Sequence, residues 1–185
     1  WKLEEALAWC KEAVQMHPAS EGAQKAVILK ASIEQSGLNM TTPEAVVPGQ
    51  EFLIRLDYKN TDKVYFRLVE LDPVKEMESR RRNEERLDYY RSLEAVQTWD
   101  QALEDPGDHQ MHGTELIVPA LQPGYYVLIG GTSPKFSINN EVVSMKRFWV
   151  TGLSYIIEKQ DDGVAGVFVL DRNTGFPISG VKVEH

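Results

Sequence analysis

The feature that most constrains this chain is a change in apolar period close to Leu38. Before it, apolar residues recur at helical spacing; after it they alternate with polar residues, the period of a strand with one buried face. Phe52, Ile54, Leu56 and Tyr58 alternate with Leu53, Arg55 and Asp57, and Val64, Phe66 and Leu68 repeat the pattern after the turn Lys59-Asn60-Thr61-Asp62. Adjacent strands joined by so short a turn are expected to form a hairpin. Further strands are expected at Val96 to Leu103, Thr114 to Ala120, Tyr125 to Gly130 and Val143 to Val150, which with Leu38–Met40 makes seven. Turn residues such as Asp105-Pro106-Gly107 and Gln122-Pro123-Gly124 separate them. Short alternating strands of this number imply an antiparallel β-sandwich.

Ahead of the switch, Leu3, Leu7, Cys10 and Val14 lie on one stripe of a helix, flanked by Ala6 and Ala13. Pro18 must end that helix, and Ser20 is suited to cap the next. In the second helix Gly22, Ala26, Leu29 and Ile33 repeat the four-three-four spacing, and Gly37 is expected to end it. Together these make an antiparallel helical hairpin, its first helix closing on Glu12 to Pro18 in wording similar to a tetratricopeptide-type repeat. About one repeat is present where a stable array needs roughly three, so the hairpin is expected to dock on the strands after it or to end a helical array.

One segment breaks the strand spacing. Pro73 to Leu93 is rich in Glu and Arg, with Leu87, Tyr90 and Leu93 offering a shallow apolar face. It reads as a charged, partly helical insertion at about 73–93, more in the manner of surface decoration than of a functional surface. Its Arg80-Arg81-Arg82 run lies among Glu76, Glu78, Glu84, Glu85 and Asp88, as on a solvated helix face.

Composition narrows the function classes. A formal charge of -8 over 185 residues argues against nucleic acid as a partner, since phosphate binding needs a basic surface. The single cysteine, Cys10, rules out an internal disulfide. No stretch approaches the roughly 18 apolar residues of a membrane-spanning helix, and the first residues carry a helical pattern, not that of a secretory signal.

Several residue groups are candidates for a site. His109 and His112 form the one close histidine pair, but they sit in a loop sequence and no third ligand is at hand, so no metal is expected. No serine occupies a Gly-x-Ser-x-Gly elbow, and no carboxylate pair stands out from an acidic surface. Gly130-Gly131-Thr132 lacks the Gly-Lys of a phosphate loop and reads as a loop leaving the sandwich. Tyr65, Trp99, Tyr125, Tyr126 and Trp149 could line a glycan-binding face or serve as core residues, the commoner use. Catalytic, cofactor-binding and metal-binding residues are therefore all expected to be none, and the chain is not expected to be an enzyme.

The ordered set formed by the helical hairpin, Pro48-Gly49, the turn at Asn60, Leu121-Gln122-Pro123-Gly124-Tyr125-Tyr126 and the segment from Gly152 to Val183 resembles the N-terminal region of bacterial alpha-2-macroglobulin-like proteins, particularly Bacteroidetes-type members. The resemblance covers nearly the whole chain. It implies a helical stretch followed by macroglobulin domains, each a seven-stranded, immunoglobulin-like sandwich. The expected division is 1–37 for the hairpin, 38–151 for one macroglobulin-like sandwich, and 152–185 for the truncated start of a second. In Gln122 to Tyr126, Pro123 fixes φ, and Gly124 is expected to take the positive φ of a type II turn. In Asp171 to Pro177, Asp171, Asn173 and Gly175 favour a tight turn.

Ordering about 35 terminal residues costs on the order of 50 kcal/mol. Burial of about 2,000 Å² of apolar surface would offset that. A flap of about three strands has no second sheet to supply it, so the chain is expected to be a piece of something longer, with flap edges free to recruit a neighbour. The resemblance further implies a non-catalytic structural or interaction segment, whose partners are neighbouring domains of the parent chain. The parent would be a protease-trapping protein, periplasmic or outer-membrane associated. The family's Cys-Gly-Glu-Gln thioester finds no match around Cys10, which is followed by Lys11-Glu12. The alternative function is a β-sandwich binding module for a glycan or protein ligand at the cell surface.

Overall fold

The computed structural model describes residues 2–79, 81, 83–138, 141–159 and 165–183. The protein is mainly β, with helices at its N-terminus. Helix α1 spans Leu3–Met16 and α2 spans Glu21–Glu34, with the break at Pro18. The Ser20 hydroxyl accepts a hydrogen bond from the Ala23 N–H at 3.1 Å, capping α2 as the sequence implied. On α1 the expected stripe faces inward, with Leu7 and Cys10 buried. On α2 the stripe is rotated: Ala23 and Ile33 are buried, Ala26 and Lys30 are half-buried, and Gly22 and Leu29 are exposed. Lys30 can lie at that seam because its alkyl stem covers apolar surface while its ammonium reaches Glu34, 3.7 Å away. Helix α2 stops at Glu34, and Gly37 opens the first strand.

The strands are β1 (Gly37–Thr41), β2 (Ala45–Val46), β3 (Phe52–Lys59) and β4 (Lys63–Leu71). After the helices α3 (Pro73–Glu78) and α4 (Asn83–Ser92) follow β5 (Gln97–Ala102), β6 (His112–Val118), β7 (Gly124–Gly131) and β8 (Val143–Val150). A further pair, β9 (Leu153–Lys159) and β10 (Ala165–Asp171), closes the order. All seven expected strands are present, joined by β2, which pairs parallel to the end of β8. A three-stranded sheet, β1-β3-β6, faces a five-stranded sheet, β2-β8-β7-β4-β5. Between them lies the main core, to which Met40, Ile54, Leu56, Phe66, Leu128 and Phe148 contribute fully buried side chains.

The expected β3–β4 hairpin does not form. Strand β3 pairs with β1 and β6, whereas β4 pairs with β5 and β7, so the turn at Asn60 carries the chain from one sheet to the other. Asn60 adopts φ of 50° and spends its carboxamide on α2, donating to the carbonyls of Ile33 at 2.8 Å and Gln35 at 3.0 Å. Lys59 Nζ donates to the Ser32 carbonyl at 3.1 Å. These contacts satisfy carbonyls that the end of a helix leaves unpaired, and they fasten the helical hairpin to the sandwich.

Gly124 is also used differently from expectation, because it does not have positive φ. A Cβ there would stand 2.9 Å from the Tyr126 ring, which folds back over it so that Tyr126 Oη donates to the Gln122 carbonyl at 3.1 Å. Close approach of an aromatic ring, not turn geometry, is what requires glycine here.

The charged insertion is a cover, not decoration. Leu87 and Tyr90 of α4 are buried against Val69, Leu71, Val127 and Ile129 on the outer face of the five-stranded sheet. Phe136 joins them, making a second core on that face. Strands β4 and β7 are consequently buried on both sides.

Candidate functional site

The insertion carries the most concentrated polar chemistry of the described residues. Asp72 caps α3, its Oδ1 accepting from the N–H groups of Val74 at 3.0 Å and Lys75 at 3.2 Å. The bond from the Lys75 N–H holds the Asp72 carboxyl below the usual aspartate range. That cap sets the phase of α3 and turns Glu76 toward the sheet, where its side chain is 3% exposed. Tyr90 Oη donates to Glu76 Oε1 at 2.5 Å, Arg147 Nη1 from β8 donates to the same oxygen at 2.9 Å, and Arg86 Nε lies 3.5 Å from it. Burial, then the bond to Glu76, pushes the Tyr90 phenol well above its ordinary range, so it stays a donor.

Glu76 Oε2 and Arg86 Nε are buried with no hydrogen-bond partner among the described residues. A carboxylate gripped on one oxygen and closed off from solvent cannot serve as a general base for an outside substrate. Its evident work is to tie α3, α4 and β8 together. On the outer side of the insertion, Lys75, Glu78, Ser79, Arg81, Glu85 and Tyr89 line an open depression. There the Arg81 guanidinium lies 3.9 Å over the Tyr89 ring. Arg80 and Arg82, the rest of the arginine run, lie outside the described residues.

The histidines are not brought to a common point. His109 Nδ1 pairs with Asn60 Oδ1 at 2.8 Å, while His112 Nε2 pairs with Asp108 Oδ1 at 2.8 Å. The His112 bond holds the Asp108 carboxyl below its ordinary range. Among the described residues no group of three metal-ligating side chains converges. Cys10 is packed in the α1–α2 seam. Gly130 and Gly131 lie within β7, paired with Ser144 and Val143, and do not form the loop that the sequence suggested.

The aromatic residues divide between the two faces of the five-stranded sheet. Trp99 stacks on Phe66 at 4.9 Å in the main core, and Tyr126 stacks on Phe148 at 6.0 Å. Trp149 pairs with Tyr125 at 4.5 Å on the opposite face, where Tyr65 also lies but at the other end of the register. They form no joint platform.

Sequence reasoning missed the buried Glu76: in sequence it is one acid among many, and only a capping Asp-Pro four residues ahead could have pointed to its face. The expected flap of about three strands is found, among the described residues, as two strands and a returning segment. Strands β9 and β10 pair along Leu153–Lys159 and Ala165–Asp171, exposing Tyr155 by 67% on one face and Ile156 by 55% and Phe168 by 49% on the other. After the tight turn, where Gly175 takes φ of 72° as expected, the chain returns beside β10 through a bridge at Leu170 and Pro177. Arg172 anchors the hairpin to the sandwich, Nη2 donating to the Ala45 carbonyl at 3.0 Å.

No family model matches the chain, and no curated protein matches it. Solved structures with some likeness include the CARDB domain of the PF1109 protein from Pyrococcus furiosus, 10% identical, with 63% of this chain and 88% of that one covered and a TM-score of 0.36. Red sea bream transglutaminase is 9% identical, covering 77% of this chain and 21% of that one, with a TM-score of 0.38. Salmonella alpha-2-macroglobulin reacted with methylamine is 7% identical, covering 69% of this chain and 10% of that one, with a TM-score of 0.32. At such scores the β-sandwich assignment rests on the strand pairing of the chain itself.

Proposed function

We propose that this chain is a non-catalytic structural and interaction segment of a larger alpha-2-macroglobulin-like protein, in which sandwich modules follow one another. The observation that carries the reading is the β9–β10 hairpin. It leaves β8 after only Thr151 and Gly152 and offers apolar residues on both faces. Strands of that kind are suited to the inside of a further β layer. On this reading 1–37 is a helical hairpin, 38–151 a macroglobulin-like sandwich and 152–185 the start of a second.

The chain's role is to space and orient its neighbours, and its partners are adjoining domains of the same protein. The parent is a protease-trapping protein of the bacterial periplasm or outer membrane, with its trapping chemistry outside these residues. A non-enzymatic role is supported by how the reactive side chains are used. Glu76 is buried under Tyr90 and Arg147, His109 and His112 are bound to Asn60 and Asp108, and Cys10 is in the helix seam. The acidic balance of -8 speaks against nucleic acid as a partner.

The reading frame that encodes the chain tests this. Continuation for well over a thousand residues with further alternating-strand patterns is the expected result. A stop near His185 would overturn it.

A further inference from the structure

Among the described residues the sheet β9–β10 has one free edge, and its geometry can be read from the few bonds around it. The Asp171 N–H donates to the Phe176 carbonyl at 2.9 Å and the Ile178 N–H to the Val169 carbonyl at 2.9 Å, so the returning segment covers the outer side of β10. Asp171 and Val169 thus turn their peptide groups away from β9, and Gly166, Phe168 and Leu170 turn theirs toward it. Their partners Glu158, Ile156 and Ser154 do the same in return. Tyr155 and Ile157 are left with N–H and C=O groups aimed outward from β9. Among the described residues no backbone partner meets them. Of the four edge strands of the sandwich, two are blunted by charge: β5 carries Asp100, paired with Lys63 at 2.9 Å, and β6 carries Glu115.

We propose that the outer edge of β9 pairs antiparallel with β9 of a second copy of this chain, joining two hairpins into a four-stranded sheet. An antiparallel pairing that uses the outward groups must set odd-numbered residues opposite odd-numbered ones. The one such register that overlaps the whole of Leu153–Lys159 has its two-fold axis at Ile156. It places Tyr155 opposite Ile157 as the hydrogen-bonded pairs and Ile156 opposite its own copy. Glu158 faces Ser154, so no like charges meet, whereas a register shifted to centre on Glu158 would set carboxylate against carboxylate. Both faces of the joined sheet continue the apolar rows of the single hairpin, Tyr155, Ile157 and Val167 on one side and Ile156 and Phe168 on the other. The edge is self-complementary as a two-fold contact requires. The proposal does not depend on what the parent protein is.

Light scattering after size exclusion, across a dilution series of the full chain, reads the association directly. Amide exchange reads the edge. A dimer that dissociates on dilution, with Tyr155 and Ile157 amides protected only in the dimer, is the expected result. Ser154→Glu would then weaken the dimer roughly tenfold, through two like-charge contacts per pair of chains. Adding Glu158→Lys to that variant would restore it, a rescue that no effect confined to one hairpin would give. If substitution disturbs the hairpin itself, exchange in the unsubstituted chain still decides. A chain that stays monomeric over the whole series, or a dimer in which the Tyr155 and Ile157 amides exchange freely, would overturn the proposal. So would a dimer indifferent to both substitutions.

Discussion

Strand β7 and strand β9 carry the same local signal and meet opposite fates. Each contains an uninterrupted apolar run, Val127-Leu128-Ile129 in one and Tyr155-Ile156-Ile157 in the other. In β7 alternate residues enter two different cores, with Leu128 between the sheets and Val127 and Ile129 under α4. In β9 the corresponding residues are exposed on both faces. The difference lies not in the strands but in what the rest of the chain brings to them. A second sheet and an inserted helix cover β7, while the described residues bring nothing over β9. A continuous apolar run therefore states that two faces need covering and leaves the source of the cover unspecified.

The sharpest way to break this comparison is to make the same substitution in both strands. Ile129→Ala opens a cavity beneath α4 and is expected to cost about 2–5 kcal/mol. Ile156→Ala removes a side chain already facing water in the dilute protein, and is expected to stay within about 0.5 kcal/mol. Urea unfolding of both variants at low protein concentration checks the pair. Equal losses would mean that β9 is covered in solution after all.

The cover over β7 can be attacked next. Glu76→Ala leaves the Tyr90 hydroxyl unpaired in a buried place and removes the anion that draws Arg147 and Arg86 inward. Arg147 is 41% exposed and can turn to water, so the expected loss is about 2 kcal/mol and not the larger figure of a fully buried pair. The accompanying sign is faster amide exchange in α3 and α4 than in β7. Uniform loosening of both would show that the insertion and the sheet unfold as one unit.

Much of the fold was legible because period is a local property. Alternation located all seven expected strands, and Pro18 and Ser20 located the helical break. Partnership was not legible. Inward residues of β3 and β4 face one core whether the strands lie side by side or in opposite sheets, so the pattern at Asn60 fits both arrangements. What separates the two arrangements is long-range pairing, β3 with β1 and β6 and β4 with β5 and β7, which the local pattern does not carry. The rotation of the α2 stripe from Gly22 and Leu29 to Ala23 and Lys30 has a similar origin, since one residue of phase separates two patterns that share Ala26 and Ile33. Glu76 stayed hidden because a buried acid and a surface acid have the same letter. The histidine pair was legible only in part: His109 lies in the loop, but His112 opens β6, and each ring is spent on a different partner.

Asn60 offers a smaller and more local test of how regions are joined. Asn60→Gly keeps access to the left-handed φ and removes only the carboxamide, with its bonds to Ile33, Gln35 and His109. A loss of about 1 kcal/mol is expected. Amide exchange should rise in α1 and α2 while the core of the sandwich keeps its protection. Unchanged helices would mean that the hairpin is held by contacts other than this one.

The smallest effect concerns the turn after β10, from which the chain returns along the outer edge of that strand. Asp171 Oδ1 accepts from the N–H of Thr174 at 2.8 Å, from its hydroxyl at 2.9 Å, and from the N–H of Asn173 at 3.1 Å. The bond from the Thr174 N–H is the foremost reason its carboxyl sits below the ordinary aspartate range. A carboxyl depressed in the folded state stabilises the fold fully above its unfolded value, about 3.9, and the contribution fades as pH falls through the lower folded value. Asp171 is at the surface, so the turn alone is expected to loosen. The matching titration of Asp72 should loosen the start of α3 over the same acid range. Carboxyl titration by NMR should find both midpoints below that of an unstructured aspartate, with the Thr174 amide shifting together with Asp171. An Asp171 midpoint at the unstructured value would mean that the turn does not hold its shape in water, leaving β10 without the cover on its outer edge that distinguishes it from β9.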